Sequence, residues 1–161
     1  MFSCKFARIA RRGRRGTTTV EAAAVLPVFF AFLFVLMQVG HACMIKHLLQ
    51  HACRAAARMG STEGVTTTDV ESKVLELAGT LVDPTKIRVY VKDASIYDSG
   101  VDPPASWEQL ANLPAIADLS TAETQQLFLV QAEVDYNDVA LLPLPFTQHL
   151  KLAALAFMRH E

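Results

Sequence analysis

From Ala22 to Ile45 the chain runs for 24 residues without Asp, Glu, Lys or Arg. As a helix rising about 1.5 Å per residue, the run spans roughly 36 Å, enough to cross a hydrocarbon core of about 30 Å. It contains Pro27 and Gln38, both tolerable in a membrane helix. The pattern then becomes two-sided. Over residues 44–59, Leu48, Leu49, Ala52, Ala55, Ala56 and Met59 gather around Ile45 at about 100° per residue, while Lys46, His47, Gln50, His51, Arg54 and Arg58 take the remainder. Gly60 reads as a left-handed helix cap. Residues 17–59 thus predict a rod of roughly 65 Å if unbroken. Pro27 is expected to kink it, because proline removes one backbone donor and clashes a turn back. An apolar stripe beyond the bilayer calls for another protein against it, and its alanines permit close helix approach.

Residues 61–64 read as a short linker. Thr68-Asp69-Val70-Glu71 reads as a capping box opening a second helix, with Val70, Val74, Leu77, Ala78 and Leu81 on its apolar face and Asp83-Pro84 as its stop. Alternation predicts strands over 86–93, with Ile87, Val89 and Val91 opposite Arg88, Tyr90 and Lys92, and over 127–137, with Val130, Ala132, Val134 and Tyr136 on one face. The segment 142–146 (LPLPF) breaks that strand, and 149–159 reads as a third, with some helical character. Residues 94–126 are loop-rich with a short helix near Trp107–Ala111. The fold class is α+β: a long N-terminal helix, then a small head with one helix and an antiparallel sheet of about three strands. A head of about a hundred residues sustains one small core.

Charge separates the chain into unlike parts. Of fifteen basic residues, six (Lys5, Arg8, Arg11, Arg12, Arg14, Arg15) precede residue 17, where there is no acid; beyond it stand nine basic and sixteen acidic groups. Basic flanks stay cytoplasmic, so the sequence predicts a single-pass inner-membrane protein with a cytoplasmic N-terminus and a periplasmic C-terminus. Beside an apolar span the arginine cluster reads as topology, and no nucleic-acid partner is expected. The 52% hydrophobic content excludes a disordered chain.

Three processing routes fit the N-terminus: a secretory cut after Gly40-His41-Ala42, a lipoprotein cut before Cys43, and a cut between Gly16 and Thr17. The last accounts for the most residues. The segment RRGRRG-TTTVEAAAVLPVFF resembles the leader and mature start of type IV pilins. With LLQHACRAAARMG beyond the span and a C-terminus ending in AALAFMRHE, it resembles more specifically the TadE-like minor pseudopilins of the tight-adherence (Tad, Flp pilus) system. The resemblance is carried by residues 11–60. It implies a prepilin-type leader over 1–16, a transmembrane helix over 17–45, an amphipathic extension over 46–60 and an extracytoplasmic head over 61–161. It also implies cleavage by a prepilin peptidase at Gly16–Thr17 and packing against other Tad pilins and minor pseudopilins, in the inner membrane and in an assembled pilus.

Glu21, the fifth residue after that cut, stands about one turn into the helix, where an unpaired carboxylate costs several kcal/mol. Cleavage would expose the Thr17 α-amino group at the same depth, so the amine and a neighbouring subunit's Glu21 could neutralise each other. The alternative is a Glu21 solvated among headgroups.

Other candidates weigh less. Cys43, His47 and His51 follow i, i+4, i+8 spacing and line one strip, but no fourth metal ligand is evident. Cys43 and Cys53 lie about 15 Å apart along one helix, too far for a bridge, so each thiol is free or pairs between chains. Asp93, Asp98 and Asp102 match no calcium template. Glu133 and Asp135 could form an acid–base pair, yet alternation already explains them as an outward strand face. Without phosphate loop, nucleophile elbow or zinc helix, neither enzyme activity, cofactor nor small-molecule substrate is expected. Two other readings remain: an uncleaved, membrane-anchored periplasmic binding or sensory domain, and a small metal-dependent periplasmic enzyme.

Overall fold

A computed structural model describes residues 17–99, 109–110, 112–142, 147 and 150–161. The expected leader with Gly16 and Cys4, residue Asp102, and most of the Trp107–Ala111 and 142–146 segments lie outside the described residues; Gln109 and Leu110 are helical. Helix α1 is assigned from Thr17 to Gly60 and runs through Pro27. Two compact units divide between Met37 and Gln38.

In the first unit every described side chain of α1 from Thr19 to Met37 is exposed, including Phe29, Phe30, Phe32 and Phe34. A helix that is apolar on all sides needs an apolar environment on all sides. It is the one helix among the described residues long and apolar enough to cross a membrane, with mean hydropathy 2.4 over its best window.

The second unit is an α+β head. Strands β1 (Arg88–Asp93), β2 (Leu127–Asp135) and β3 (Lys151–Arg159) form an antiparallel sheet in the order β1-β2-β3, with Val91 opposite Val130 and Val130 opposite Ala156. Helix α2 (Thr67–Ala78) and residues 38–60 of α1 cover one sheet face. The core joins Ile45, Leu49, Ala52, Cys53, Ala56 and Ala57 of α1, Val70 and Val74 of α2, and Phe128, Val130, Ala132, Val134, Ala154 and Ala156 of the sheet. Both sides of the α1–sheet contact supply small residues, Ala52, Ala56 and Ala57 from the helix and Ala132, Ala154 and Ala156 from the sheet. The stripe expected to seek another protein is therefore occupied by the chain's own sheet. Cys53 and Ala57, absent from the predicted stripe, belong to its centre.

Three local expectations are corrected. The capping box uses Thr66 and Asp69 rather than Thr68 and Glu71: the Thr66 side chain accepts from the Asp69 N–H, and the Asp69 carboxylate accepts from the Thr66 N–H at 3.0 Å. Helix α2 ends at Ala78 with Gly79 as its cap, so Leu81 lies beyond it and is exposed. Gly60 is not left-handed; positive φ occurs at Gly64 and Gln125 among the described residues. Gly60 instead passes so close to its neighbours that an added Cβ would meet Val70 Cγ2 at 2.8 Å and Leu119 Cδ2 at 2.9 Å.

The opposite sheet face is partly covered by a small cluster of Ala94, Leu110 and Leu129 with Tyr97, Leu113 and Leu155. Lys92 is buried there, donating from Nζ to the Leu110 carbonyl at 2.8 Å.

Candidate functional site

Of the residues expected to carry function, Thr17 opens α1 and Glu21 follows one turn later, with its side chain exposed among exposed apolar neighbours. Pro27 lies inside the same apolar stretch. No other Asp, Glu, Lys or Arg stands on α1 between Thr17 and Ile45. The structure thus presents a continuous apolar helix carrying a single carboxylate near its start. Such a surface suits insertion in lipid and lateral packing.

Where α1 enters the head, polar side chains fasten it to backbone. The buried Gln38 amide donates from Nε2 to the Leu142 carbonyl at 2.9 Å and accepts on Oε1 from the Leu141 N–H at 3.2 Å. His41 Nε2 donates to the Val139 carbonyl at 2.9 Å, and Gln50 Nε2 to the Leu155 carbonyl at 2.6 Å. Residues 38–60 therefore follow β3 in the same direction, from Leu142 past Leu155 to Ser61, whose carbonyl accepts from the Glu161 N–H. Sequence reasoning treated Gln38 as merely tolerated. A polar residue in a charge-free run demands a hydrogen-bond partner, and that demand was the available signal.

The secondary candidates are dispersed. Cys43, His47 and His51 share an open groove with Lys46, Gln50 and Arg54. Among the described residues no three His, Cys, Asp or Glu side chains lie where they could hold one metal ion. Cys53 is fully buried, its Sγ 3.8 Å from the Ala154 carbonyl, and burial pushes its thiol up to about 12. It is a core residue, inaccessible to a second chain. Asp93 accepts from the Ser95 N–H, and Asp98 pairs with Arg159 at 2.6 Å. Glu133 and Asp135 do share the outward face, but both are bound to Arg88, at 3.3 and 2.6 Å, and Lys151 approaches Glu133 at 3.5 Å. A carboxylate pair tied across three strands by cations braces the sheet.

The described residues thus hold an exposed apolar helix segment and, in a separate unit, a small α+β head. Residues 16–58 match the family model described as TadE-like protein. The matched segment begins at Gly16 and covers the apolar stretch together with most of the helix packed on the sheet. No curated protein and no solved structure matches the chain.

Proposed function

We propose that the chain is a minor pseudopilin, a structural and assembly component of a Tad/Flp-type pilus, and that it performs no catalysis. The TadE-like match over residues 16–58 carries this reading. In it, residues 1–16 are a leader removed by a prepilin peptidase between Gly16 and Thr17. Residues 17–45 cross the inner membrane with the basic tip inside and the head in the periplasm. Residues 46–60 extend the helix, which bends at Pro27, and 61–161 supply the surface that meets other Tad pilins and minor pseudopilins.

Glu21 provides the assembly contact. Left alone in lipid, its carboxylate costs several kcal/mol; the Thr17 α-ammonium of a neighbouring subunit, at the same depth after processing, offsets that cost. Glu21→Gln removes the charge at nearly constant volume, and Glu21→Ala removes the group. Both variants should insert, be processed and accumulate like the parent while co-purifying poorly with the pilus. Variants incorporated as well as the parent would reduce Glu21 to an interfacial acid and remove this mechanism. A chain that remains anchored and never accompanies other pilins would favour the membrane-anchored binding domain.

A further inference from the structure

The sheet of the head has two edges, and the chain closes one of them. On β1 the outward backbone is taken up by residues 114–116: the Asp93 N–H donates to the Pro114 carbonyl at 2.9 Å, and the Val91 carbonyl accepts from the Ile116 N–H at 3.0 Å. The edge at β3 differs. The Tyr136 N–H donates to the Leu150 carbonyl and the His160 N–H to the Gln126 carbonyl, one pair beyond each end of the β2–β3 ladder and in its register. Bonded and unbonded positions alternate along an antiparallel pair. Even-numbered residues of β3 therefore bond to β2, and the odd-numbered ones turn N–H and C=O outward. The Leu155 carbonyl accepts from Gln50, and beyond the strand the Glu161 N–H donates to the Ser61 carbonyl. Among the described residues, the N–H and C=O of Ala153 and Phe157 and the N–H of Leu155 have no partner. Between Lys151 and Arg159 the strand carries neither charge nor proline, the usual means of blunting an open edge.

The charge beside this edge says what fits it. Gln50, which reaches Leu155, also lines an open groove of α1 with Cys43, Lys46, His47, His51 and Arg54. Among the described residues neither Lys46 nor Arg54 pairs with a carboxylate. The chain holds no Asp or Glu from Ala22 to Thr62. We infer that the open edge of β3 receives an extended, acidic segment of a partner protein as a fourth strand. Its backbone bonds Ala153, Leu155 and Phe157, and its carboxylates meet Lys46 and Arg54. A second copy of the chain fits less well. Its β1 edge is already closed, and β3 paired antiparallel with β3 about Leu155 sets Lys151 opposite Arg159, a like-charge pair. Edge and groove both belong to the head, so the inference stands whether or not the chain enters a pilus.

The test uses the full chain in neutral detergent micelles, with amide hydrogen exchange read residue by residue. The probes are two peptides matched to the nine residues of β3, one alternating valine with glutamate, the other valine with lysine. Without peptide, the N–H groups of Ala153, Leu155 and Phe157 should exchange faster than those of Ala154 and Ala156, which bond to β2. The glutamate peptide should slow the three outward amides about tenfold or more, and the lysine peptide should not. Lys46→Glu combined with Arg54→Glu should reverse that preference. Ala153→Pro removes one outward donor, a change an edge strand tolerates, and should abolish the protection while Ala154 and Ala156 stay slow. Should that variant lose the slow amides, the charge-reversed chain decides alone, since it leaves the strand untouched. Three results would overturn the proposal. Equal protection by both peptides removes the acidic partner, and no protection by either removes the added strand. Outward amides that are already slow without peptide, and slower at higher protein concentration, assign the edge to a second copy of the chain.

Discussion

Replacing Gly60 with alanine adds one methyl group at the end of α1 and sets two effects against each other. Helix propensity favours alanine over glycine by up to about 1 kcal/mol. Against that, the new Cβ would lie 2.8 Å from Val70 Cγ2 and 2.9 Å from Leu119 Cδ2, where carbon atoms prefer about 3.5–4.0 Å. Leu119 can swing its far methyl aside. Val70 cannot, because a β-branched residue within a helix is held to one χ1 rotamer, and Phe128 closes the third side at 3.5 Å. Overpacking of a tight core costs about 1–3 kcal/mol, so the net expectation is a loss of about 1 kcal/mol or more. Cys53 reports it: the thiol is buried in the same cluster and reacts only when the head opens. In a chain whose other cysteines are serine, Gly60→Ala should speed labelling of Cys53 about fivefold or more. Adding Val70→Ala makes room for the methyl, so the two substitutions together should cost about 1 kcal/mol less than their sum. Strict additivity, or slower labelling in Gly60→Ala, would refute close packing as the reason for glycine here.

The remaining predictions concern groups with defined surroundings. In the folded parent Cys53 should resist a thiol reagent and should react in denaturant; early labelling of Cys53 would contradict its burial. His160 is buried, and among the described residues neither of its ring nitrogens has a hydrogen-bond partner, so His160→Met should slow Cys53 labelling, recovering part of the roughly 1–3 kcal/mol that an unpartnered polar group costs. Hydrogen bonds from the Thr66 side chain and then its backbone N–H hold the Asp69 carboxyl below its usual range. Its contribution is complete above the unfolded value of about 3.9 and is lost as pH falls through the lower folded one. Thr66→Ala should therefore weaken the head at neutral pH and matter less in strong acid; an equal loss at both would exclude the box.

Much of the fold was legible because local pattern and tertiary packing agree. The alternation of Val89 and Val91 against Arg88 and Tyr90 survives into β1, and that of Val130, Ala132 and Val134 into β2. Strand ends shifted by no more than two residues, as Ile87 and Tyr136 fell to adjoining turns. The misplaced capping box shows a limit of local reading: Thr66-Thr67-Thr68 offers three equivalent caps, and only the reach of Asp69 to the Thr66 N–H selects among them. Gly60 shows another, since close approach of Val70 and Leu119 leaves no mark in the residues around it.

The apolar stripe of α1 was correctly seen to need a partner, but the partner was sought in another chain. Which surface covers a helix depends on contacts spanning about a hundred residues, such as Gln38 with Leu142 and Gln50 with Leu155. Lys92 was read as outward for the same reason, because Leu110 and Ala115, which meet it, stand in a stretch without periodic signal. At the candidate site, what the sequence shows is a single carboxylate, Glu21, directly before the charge-free run Ala22–Ile45, and the structure places both on α1.

The pilin-type reading is tested most directly by the mass of the mature protein's N-terminal peptide, taken from the envelope of its native host. A chain beginning at Thr17 is the expected result, and replacing Gly16 with a bulky residue should leave the leader attached without altering insertion. A chain beginning at Met1 or at Cys43 would contradict the account, because no new amine would then meet Glu21.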